Sequence, residues 1–524
     1  MKELFKKIEL KLYICILSLF FIYILGLRNN TIDMDYWARL LQGNAFLQLG
    51  HILKFDPFSY TPTHIWLDHE WGSGVIFSFI QNTFSFDMVL FFRAFIIFLI
   101  FFLLYKIIKI RSGIKFNAYS ILYFIFALYA IPTISMSGLR CHFLTFLFFT
   151  LFLYILELVR KRNKNGLLFI LPFVMLIWCN CHGGCVSGLG LLFLYAVGEY
   201  LNKKLCAKYV YTLIGCIIIM FINPYGIDYV KFIFMAATME RPFVTEWISP
   251  FLHPVPTFML YFKLFFVLNF VLFIFSVKQI KYDYTKYLIL CVCAYLSCRY
   301  VKNTPFIVIT SIAFLYDDLI FLIEKYLPEG INKISQTRHI SVLLVFVLIL
   351  YNVYSLLKIP NSWNYLSQQP YKVTLFIQNN KLNGKILAPF DYGSYLAYKL
   401  YPNNLIYMDG RYEEVYFNST KKLLDDFFNV QNEGYKVLDD KPEYVIVPSN
   451  ALVNDYLIQL DDYKLIYKDE TDCLYAYKEN LKNEYINVPD EEQLKTYIKQ
   501  QYVMNPSFKY TDDIFINGKK VVFK

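Results

Sequence analysis

The chain reads as a polytopic α-helical membrane protein of about eleven transmembrane helices, followed by a small α/β domain outside the membrane. Three observations predict this. Of 524 residues, 57% are hydrophobic and 19% aromatic, against only 18% charged. That composition lies outside the range of soluble domains. Apolar runs long enough, or nearly long enough, to cross a bilayer recur as far as residue 357. Beyond that point the pattern changes to short strand-like runs that alternate with helical ones. No internal repeat and no low-complexity tract is present.

The apolar runs cover residues 12–27, 86–108, 117–134, 142–159, 166–181, 186–201, 209–222, 256–277, 285–298, 304–323 and 339–357. Gly74–Phe84 is apolar but too short to span, and fits an interfacial helix. The first run follows Lys2, Lys6, Lys7 and Lys11, as a signal sequence would. No small-residue cleavage site follows it, so it reads as an uncleaved first span. Lys and Arg near the span ends set the direction. With the N-terminus inside, the inner loops carry Lys106, Lys109, Arg111 and Lys115, then Arg160, Lys161, Arg162 and Lys164, then Lys203, Lys204 and Lys208. Lys278, Lys281 and Lys286, and finally Lys325, Lys333 and Arg338, continue the series. An odd number of spans puts the C-terminal domain outside. A bacterial cytoplasmic (inner) membrane is the simplest location. The formal charge of +10 is accounted for by this anchoring, and no basic–aromatic motif points to nucleic acid. Most of the eleven Cys lie in or beside apolar runs, where Cys acts as a small hydrophobe, and no disulfide framework is evident.

The expected division is a transmembrane domain over 1–357 with a first outer loop at 28–85, an outer α/β domain over 358–480 and a charged tail over 481–524. In the outer domain, strands are expected at Lys385–Phe390, Leu405–Met408 and Glu443–Pro448. Helices are expected at Ser394–Leu400, Thr420–Phe428 and Asn454–Leu460, and a closing hairpin pairs Lys464–Lys468 with Leu474–Lys478. The alternation argues a largely parallel sheet.

With this topology the unusual polar residues fall on one side of the membrane. The first outer loop holds Asp33, Asp35, Trp37, Trp66, Asp68, His69, Glu70 and Trp71. Later outer turns hold Arg140 and His142, then Asn180 and His182, then Glu240-Arg241 and Glu246-Trp247, and last Arg299, Lys302 and Asn303. Ionisable groups at membrane depth are costly and mark candidate sites. Asp33 and Asp35 suit a general base, and a neighbouring carboxylate can help hold a divalent cation, Mg or Mn. The bland alternative is a pair of solvated charges beyond a helix end. His69 and Glu70 suit acid–base work between the stacking faces of Trp66 and Trp71, although Trp also collects at membrane interfaces. Arg140 and Arg299 can grip a phosphate, or can snorkel to the headgroups. Glu246 is a further outer acid. Cys179-x-Cys181-His182-x-x-Cys185 invites zinc, but the spacing is cramped and the glycine pair suggests a turn, which leaves His182 as a hydrogen-bonding residue. Asp391-Tyr392-Gly393 and Met408-Asp409-Gly410-Arg411 follow strands, where open α/β sheets bind ligands, and read first as turns.

A set of motifs carries a resemblance. They are Asp35-Tyr36-Trp37, Asp56-Pro57-Phe58-Ser59-Tyr60-Thr61, His69-Glu70-Trp71, Trp178-x-Asn180-x-His182-Gly183, Asn223-Pro224-x-Gly226, Asp391-Tyr392-Gly393-Ser394-Tyr395-Leu396 and Asp409-Gly410-Arg411. With the span count and the outer domain, they resemble the GT-C superfamily of membrane glycosyltransferases. Within it the chain looks most like an uncharacterised group of bacterial polytopic proteins with a C-terminal outer α/β domain. The resemblance implies transfer of a sugar from a polyprenyl-phosphate carrier to a glycan, lipid or protein acceptor, in cell-envelope polysaccharide or glycoconjugate biosynthesis. It implies Asp35 as the catalytic base, with Asp33 and Glu70 the other candidate acids. Trp37, His69, Trp71, Arg140, Asn180, His182, Glu246 and Arg299 are the expected substrate contacts. The chain departs from the group at Ala38 and Arg39, where a second Trp and a His are usual. Alternatives are a polysaccharide polymerase or ligase, a transporter and a non-catalytic scaffold. A transporter should carry polar or broken helices near the midplane.

Overall fold

The structure is a computed structural model that describes residues 32–61, 65–111, 118–131, 139–239, 245–252, 257, 259–279, 283–326, 369–415, 438, 441–488, 514–516 and 519–521. The expected first and last spans, the helix at Thr420–Phe428 and Glu240-Arg241 lie outside these residues. The chain divides into two compact units. One comprises Met1–Asn30 and Leu90–Ile359, the other Thr31–Val89 and Pro360–Lys524.

The first unit is helical. Among the described residues five helices are long and apolar enough to cross a membrane: Phe86–Arg111, which begins in the second unit, His142–Arg162, Gly183–Leu201, Leu260–Val277 and Val301–Tyr326. Asn165–Cys181 and Ala207–Ile219 are shorter apolar helices. Ala118–Ala130 and Tyr284–Arg299 complete the runs expected from hydropathy here. A helix of about 13 residues rises only ~20 Å, against ~30 Å of hydrocarbon. Large apolar side chains face outward, among them Phe173, Tyr211, Ile218 and Phe234. At one end of the bundle charges are paired inside it. Arg160 bonds Glu199 at 2.7 Å and forks onto Asp283, and Arg111 bonds Glu157 at 2.7 Å. Tyr195 also donates to Glu157. Such groups are tolerated there because each has a partner.

The second unit joins the first loop to the C-terminal region. Its sheet runs β2-β1-β3-β5-β4. The strands are β1 Gly384–Leu387, β2 Asn404–Ile406, β3 Tyr444–Pro448, β4 Tyr463–Lys468 and β5 Asp472–Tyr477. The expected strands are found within one to three residues of these bounds. The sheet is mixed rather than largely parallel. β1 pairs in parallel with β2 and β3, whereas β5 pairs antiparallel with β3 and β4. The reason is the connection: β4 and β5 are joined by a tight turn, which permits only an antiparallel pair, while the helix Phe390–Leu400 provides the crossover from β1 to β2. A further short pair, Ile514–Ile516 with Lys519–Val521, is antiparallel.

Two helices of the first loop, Met34–Leu49 and Trp71–Thr83, cross with their backbones nearly touching. A Cβ on Gly43 would stand 2.1 Å from the Gly74 carbonyl oxygen, and one on Gly74 would stand 2.4 Å from that of Arg39. The helix Met34–Leu49 also packs on Phe390–Leu400. Trp37 lies there with no exposure, edge-on to Tyr395 at 5.0 Å and near Tyr398 at 5.3 Å. Gln81 ties both helices to this contact, accepting from the Tyr36 hydroxyl and donating to that of Tyr398. The loop segment Phe58–Tyr60 runs along the free edge of β2: Ile406 donates to the Phe58 carbonyl at 2.9 Å, and Tyr60 to that of Ile406 at 3.0 Å. Thus the Asp56–Thr61 motif is an edge covering for the sheet. Gly43→Ala is expected to destabilise this unit by at least roughly 1–3 kcal/mol, since a backbone carbonyl cannot yield as a side chain does. Thermal melting of the purified variant measures it.

Candidate functional site

Asp33 is the N-cap of Met34–Leu49. Its side-chain oxygen accepts from the Asp35 N–H at 3.0 Å, with the extended backbone that a cap residue takes. One oxygen of Asp33 is thereby engaged in starting the helix. Asp35 lies in the first turn, half-buried. Its carboxylate lies against Gly410, where a Cβ would sit 2.8 Å from Oδ1.

One turn further along the same helix face is Arg39, almost fully buried. It gathers the acids of the unit. Its two terminal nitrogens fork onto Glu414 at 2.8 and 3.1 Å. Nη1 also reaches Asp68, and Nε lies 3.3 Å from Glu70. His69 lies between Glu414, 2.9 Å from Nδ1, and Glu70, 3.4 Å from Nε2. Trp66 donates its indole N–H to Glu414 at 3.1 Å, and Glu70 its backbone N–H to Asp68 at 2.8 Å. The electrostatics follow from burial and pairing. Burial pushes the Asp68 carboxyl up to about 7, although Arg39 opposes it. Burial alone would lower the His69 imidazole, yet Glu70 and Glu414 together hold it well above its ordinary value. Burial would raise Glu414, but Arg39 and His69 outweigh this and hold it below the carboxylate range. Glu70 and His69, expected at the chemistry, are thus engaged in a buried ion cluster.

A second cluster lies beside it. Arg411, with no exposure, bonds Asp56 at 2.7 Å and Asp409 at 2.9 Å. Its guanidinium lies over the rings of Trp66 and Phe58, 4.8 and 5.1 Å from their centroids. Burial raises the Asp409 carboxyl, and Arg411 acts against that rise. Trp37 is core, as described. Trp71 packs on Phe46 at 5.4 Å.

The remaining expected residues belong to the first unit. Arg140 is paired with Glu246 at 2.5 Å. The segment holding Glu246 is bonded to the end of Tyr284–Arg299: Val301 donates to the Ile248 carbonyl at 3.0 Å, and Ser249 to that of Cys298 at 2.6 Å. Lys302 sits over the Trp247 ring, 3.0 Å from its centroid. Arg299 is exposed and donates to the hydroxyls of Tyr300 at 2.9 Å and Tyr295 at 3.0 Å. His182 ends the helix Ile170–Cys181. Its Nδ1 accepts from Gly184 N–H at 2.9 Å and lies 2.7 Å from the Thr145 hydroxyl, which itself accepts from Trp178. The His142 ring lies 4.6 Å from that of His182. Asn180 donates to the carbonyls of Leu176 and Ile222, and so ties one helix end to the next turn. Arg140, Glu246 and the segment carrying Arg299 are therefore assembled by one set of contacts.

Two groups among the described residues have ligand atoms close enough for a metal: Cys141, His142 and His182, and His69, Glu70 and Glu414. Neither is the all-oxygen set that Mg or Mn takes. In the second, Arg39 and His69 already supply the positive charge. The first is a thiol–imidazole set that suits a zinc-like ion, except that the Gly184 N–H is bonded to the His182 Nδ1, the nitrogen that must carry the proton if Nε2 is to ligate. In the Cys179–Cys185 motif, which reads first as a turn, Cys179 donates to the Leu176 carbonyl and Cys185 is paired with Tyr229.

Sequence reasoning missed Glu414, and it named Arg39, Asp56 and Arg411 only as a departure, a motif and a turn, not as the centres of ion clusters. Arg39 had one local signal, its place one turn after Asp35 in an otherwise apolar stretch. Glu414 had none. Arg39→Ala would leave three acids around a vacated cation, and is expected to destabilise the unit by about 3–5 kcal/mol. A pH series reads the same cluster. His69 holds its proton above the ordinary 6.5, so that stabilisation is full below 6.5 and lost as pH rises through the raised value. Asp68, raised from 3.8 to about 7, acts in the same direction over that interval. The melting temperature is expected to fall as pH increases above 6.5, and less steeply in His69→Gln.

No protein-family model matches the chain, and no curated protein matches it. Solved structures do. The Archaeoglobus fulgidus oligosaccharyltransferase in its apo form is 12% identical, with a TM-score of 0.56 over 83% of this chain and 69% of that one. The same archaeal enzyme, AglB, in complex with an inhibitory peptide and a dolichol-phosphate is 11% identical, with a TM-score of 0.58 over the same shares, 83% and 69%. A third structure, tethered to an acceptor peptide containing the NVT sequon, is 13% identical, with a TM-score of 0.51 over 83% of this chain and 68% of that one. At these identities the likeness is one of fold.

Proposed function

We propose that the protein is a GT-C-type membrane glycosyltransferase that moves a sugar from a polyprenyl-phosphate carrier to an acceptor at the outer face of a bacterial cytoplasmic membrane. The N-terminus is inside, and the C-terminal region is outside. The observation that carries this reading is Asp35, a half-buried acid in the first turn of a first-loop helix, with the Asp409–Arg411 turn against it. Asp33, the neighbouring acid, caps the helix. The fold likeness supports the same reading, since one relative was solved with a dolichol-phosphate, a lipid-linked phosphate.

The chemistry is a single displacement. The acceptor atom forms a bond to the anomeric carbon, and the bond from that carbon to the phosphate oxygen breaks. The electron pair leaves with the polyprenyl phosphate, and the Asp35 carboxylate takes the acceptor proton. The anomeric carbon inverts, and no protein nucleophile is needed. Charge grows on the leaving phosphate, and a cation is needed to stabilise it; in the helical unit, taken by itself, Arg299 is exposed and is a candidate for phosphate contact. The Arg140–Glu246 pair and the Lys302–Trp247 contact hold the segment beside Arg299 in place.

Asp35→Asn is expected to lower transfer by about 10²–10⁴-fold, the usual worth of a general base. Purified protein in lipid nanodiscs is assayed with polyprenyl-phosphate sugars and with glycan, lipid and peptide acceptors. An unchanged melting curve and wild-type turnover together would remove Asp35 from the chemistry. Polymerisation of whole lipid-linked glycans, with no single-sugar transfer, would point to a polymerase instead.

A further inference from the structure

Glycines in the Thr31–Val89 and Pro360–Lys524 unit are required for different reasons. At Gly43, Gly74 and Gly393 a Cβ would strike a backbone carbonyl at 2.1, 2.4 and 2.2 Å, so packing of main chain on main chain excludes a side chain. Gly50 and Gly384 have φ of +75° and +141°, so backbone conformation favours glycine. Gly410 fits neither class. It is not among the glycines with positive φ, and no backbone atom crowds its Cβ position. The nearest neighbours are Asp35 Oδ1 at 2.8 Å, Met34 Sδ at 3.5 Å and Met34 Cγ at 3.6 Å. The last two are ordinary van der Waals contacts. What excludes a side chain at position 410 is the carboxylate of Asp35.

We infer that Gly410 is a positioning residue for Asp35, and that the Asp409–Arg411 turn of the C-terminal region is the wall that fixes the orientation of that carboxylate for proton transfer. This rests on the reading of Asp35 as the base. The turn is rigid enough for the purpose. Arg411 is held by Asp56 and Asp409, and its N–H is bonded to Asp409 at 3.0 Å. Gly393 allows Met408 and Asp409 to seat directly on the Phe390–Leu400 helix. The carboxylate, by contrast, turns about two single bonds. A methyl at 410 is therefore relieved by the Asp35 side chain and not by the fold. Glycine at this position serves the acid. The same contact makes the C-terminal region part of the reaction centre, although it supplies no reacting group there.

The test compares Gly410→Ala, Asp35→Ala, the double variant and Asp35→Asn in full-length protein. Gly410→Ala is expected to melt with the parent, bind the lipid-linked donor with unchanged KM, and lose roughly 10²-fold in kcat, the cost of a ~1 Å misplacement. The double variant is expected to melt no lower than Asp35→Ala, since the methyl then meets no carboxylate. Parental kcat in Gly410→Ala, with Asp35→Asn inactive, overturns the inference and leaves the base in place. Turnover in Asp35→Asn overturns the base itself. Should Gly410→Ala unfold, a folded double variant still assigns the strain to Asp35 and supports the inference. A double variant that also unfolds overturns it.

Discussion

The buried pairing of Arg39 with Glu414 is the constraint on which the second unit depends. A nearly buried guanidinium must be matched by carboxylates, and Glu414 is the one it meets with two hydrogen bonds. Everything near it follows. Asp68 and Glu70 approach the same cation, His69 takes the charge left on Glu414 and Glu70, and Trp66 closes the remaining acceptor. The first loop and the C-terminal region thereby share one core. Removing either partner would leave the rest as uncompensated charge in a dry interior, which is far more costly than an exposed pair lost to water.

The arrangement engages most of the expected acids in support of the fold. Glu70, His69 and Asp33 had the right chemistry for catalysis, but their oxygens and nitrogens are engaged in capping and ion pairing. Asp35, one turn before Arg39, is on the same helix, half-buried and against Gly410. Arg39 fixes the helix, Arg411 fixes the turn opposite, and the acid lies where both meet. The departure at Ala38 and Arg39 acquires a physical meaning here. Ala38, fully buried, fits the core, and Arg39 organises the acids.

How much of this was legible depends on the range of the interaction. Apolar runs are local, so among the described residues the helices lie at the expected places, and the strands of the C-terminal region were found within a few residues. The mixed character of the sheet could be read from the closing hairpin but not from strand–helix alternation alone. Aromatic residues misled: Trp37 looks the same in sequence whether it stacks on a sugar or fills a core beside Tyr395 and Tyr398. Glu413-Glu414 reads locally as two solvated charges, and nothing near it announces a partner in the first loop. The His182 turn was legible as a turn, because its glycines are adjacent. Its bond to Thr145 was not, since that residue belongs to another helix.

The joint core has a consequence in time. Arg39 and Glu414 are 375 positions apart. At ~5–20 residues per second the ribosome delivers Glu414 roughly twenty to seventy-five seconds after Arg39. For that interval the first loop cannot complete its interior, and its cation and acids must remain hydrated. Packing of this unit is thus a late event, closing only after the intervening helices have been made. A chain stopped before residue 414 would contain a loop of sound local sequence with no interior to fold around.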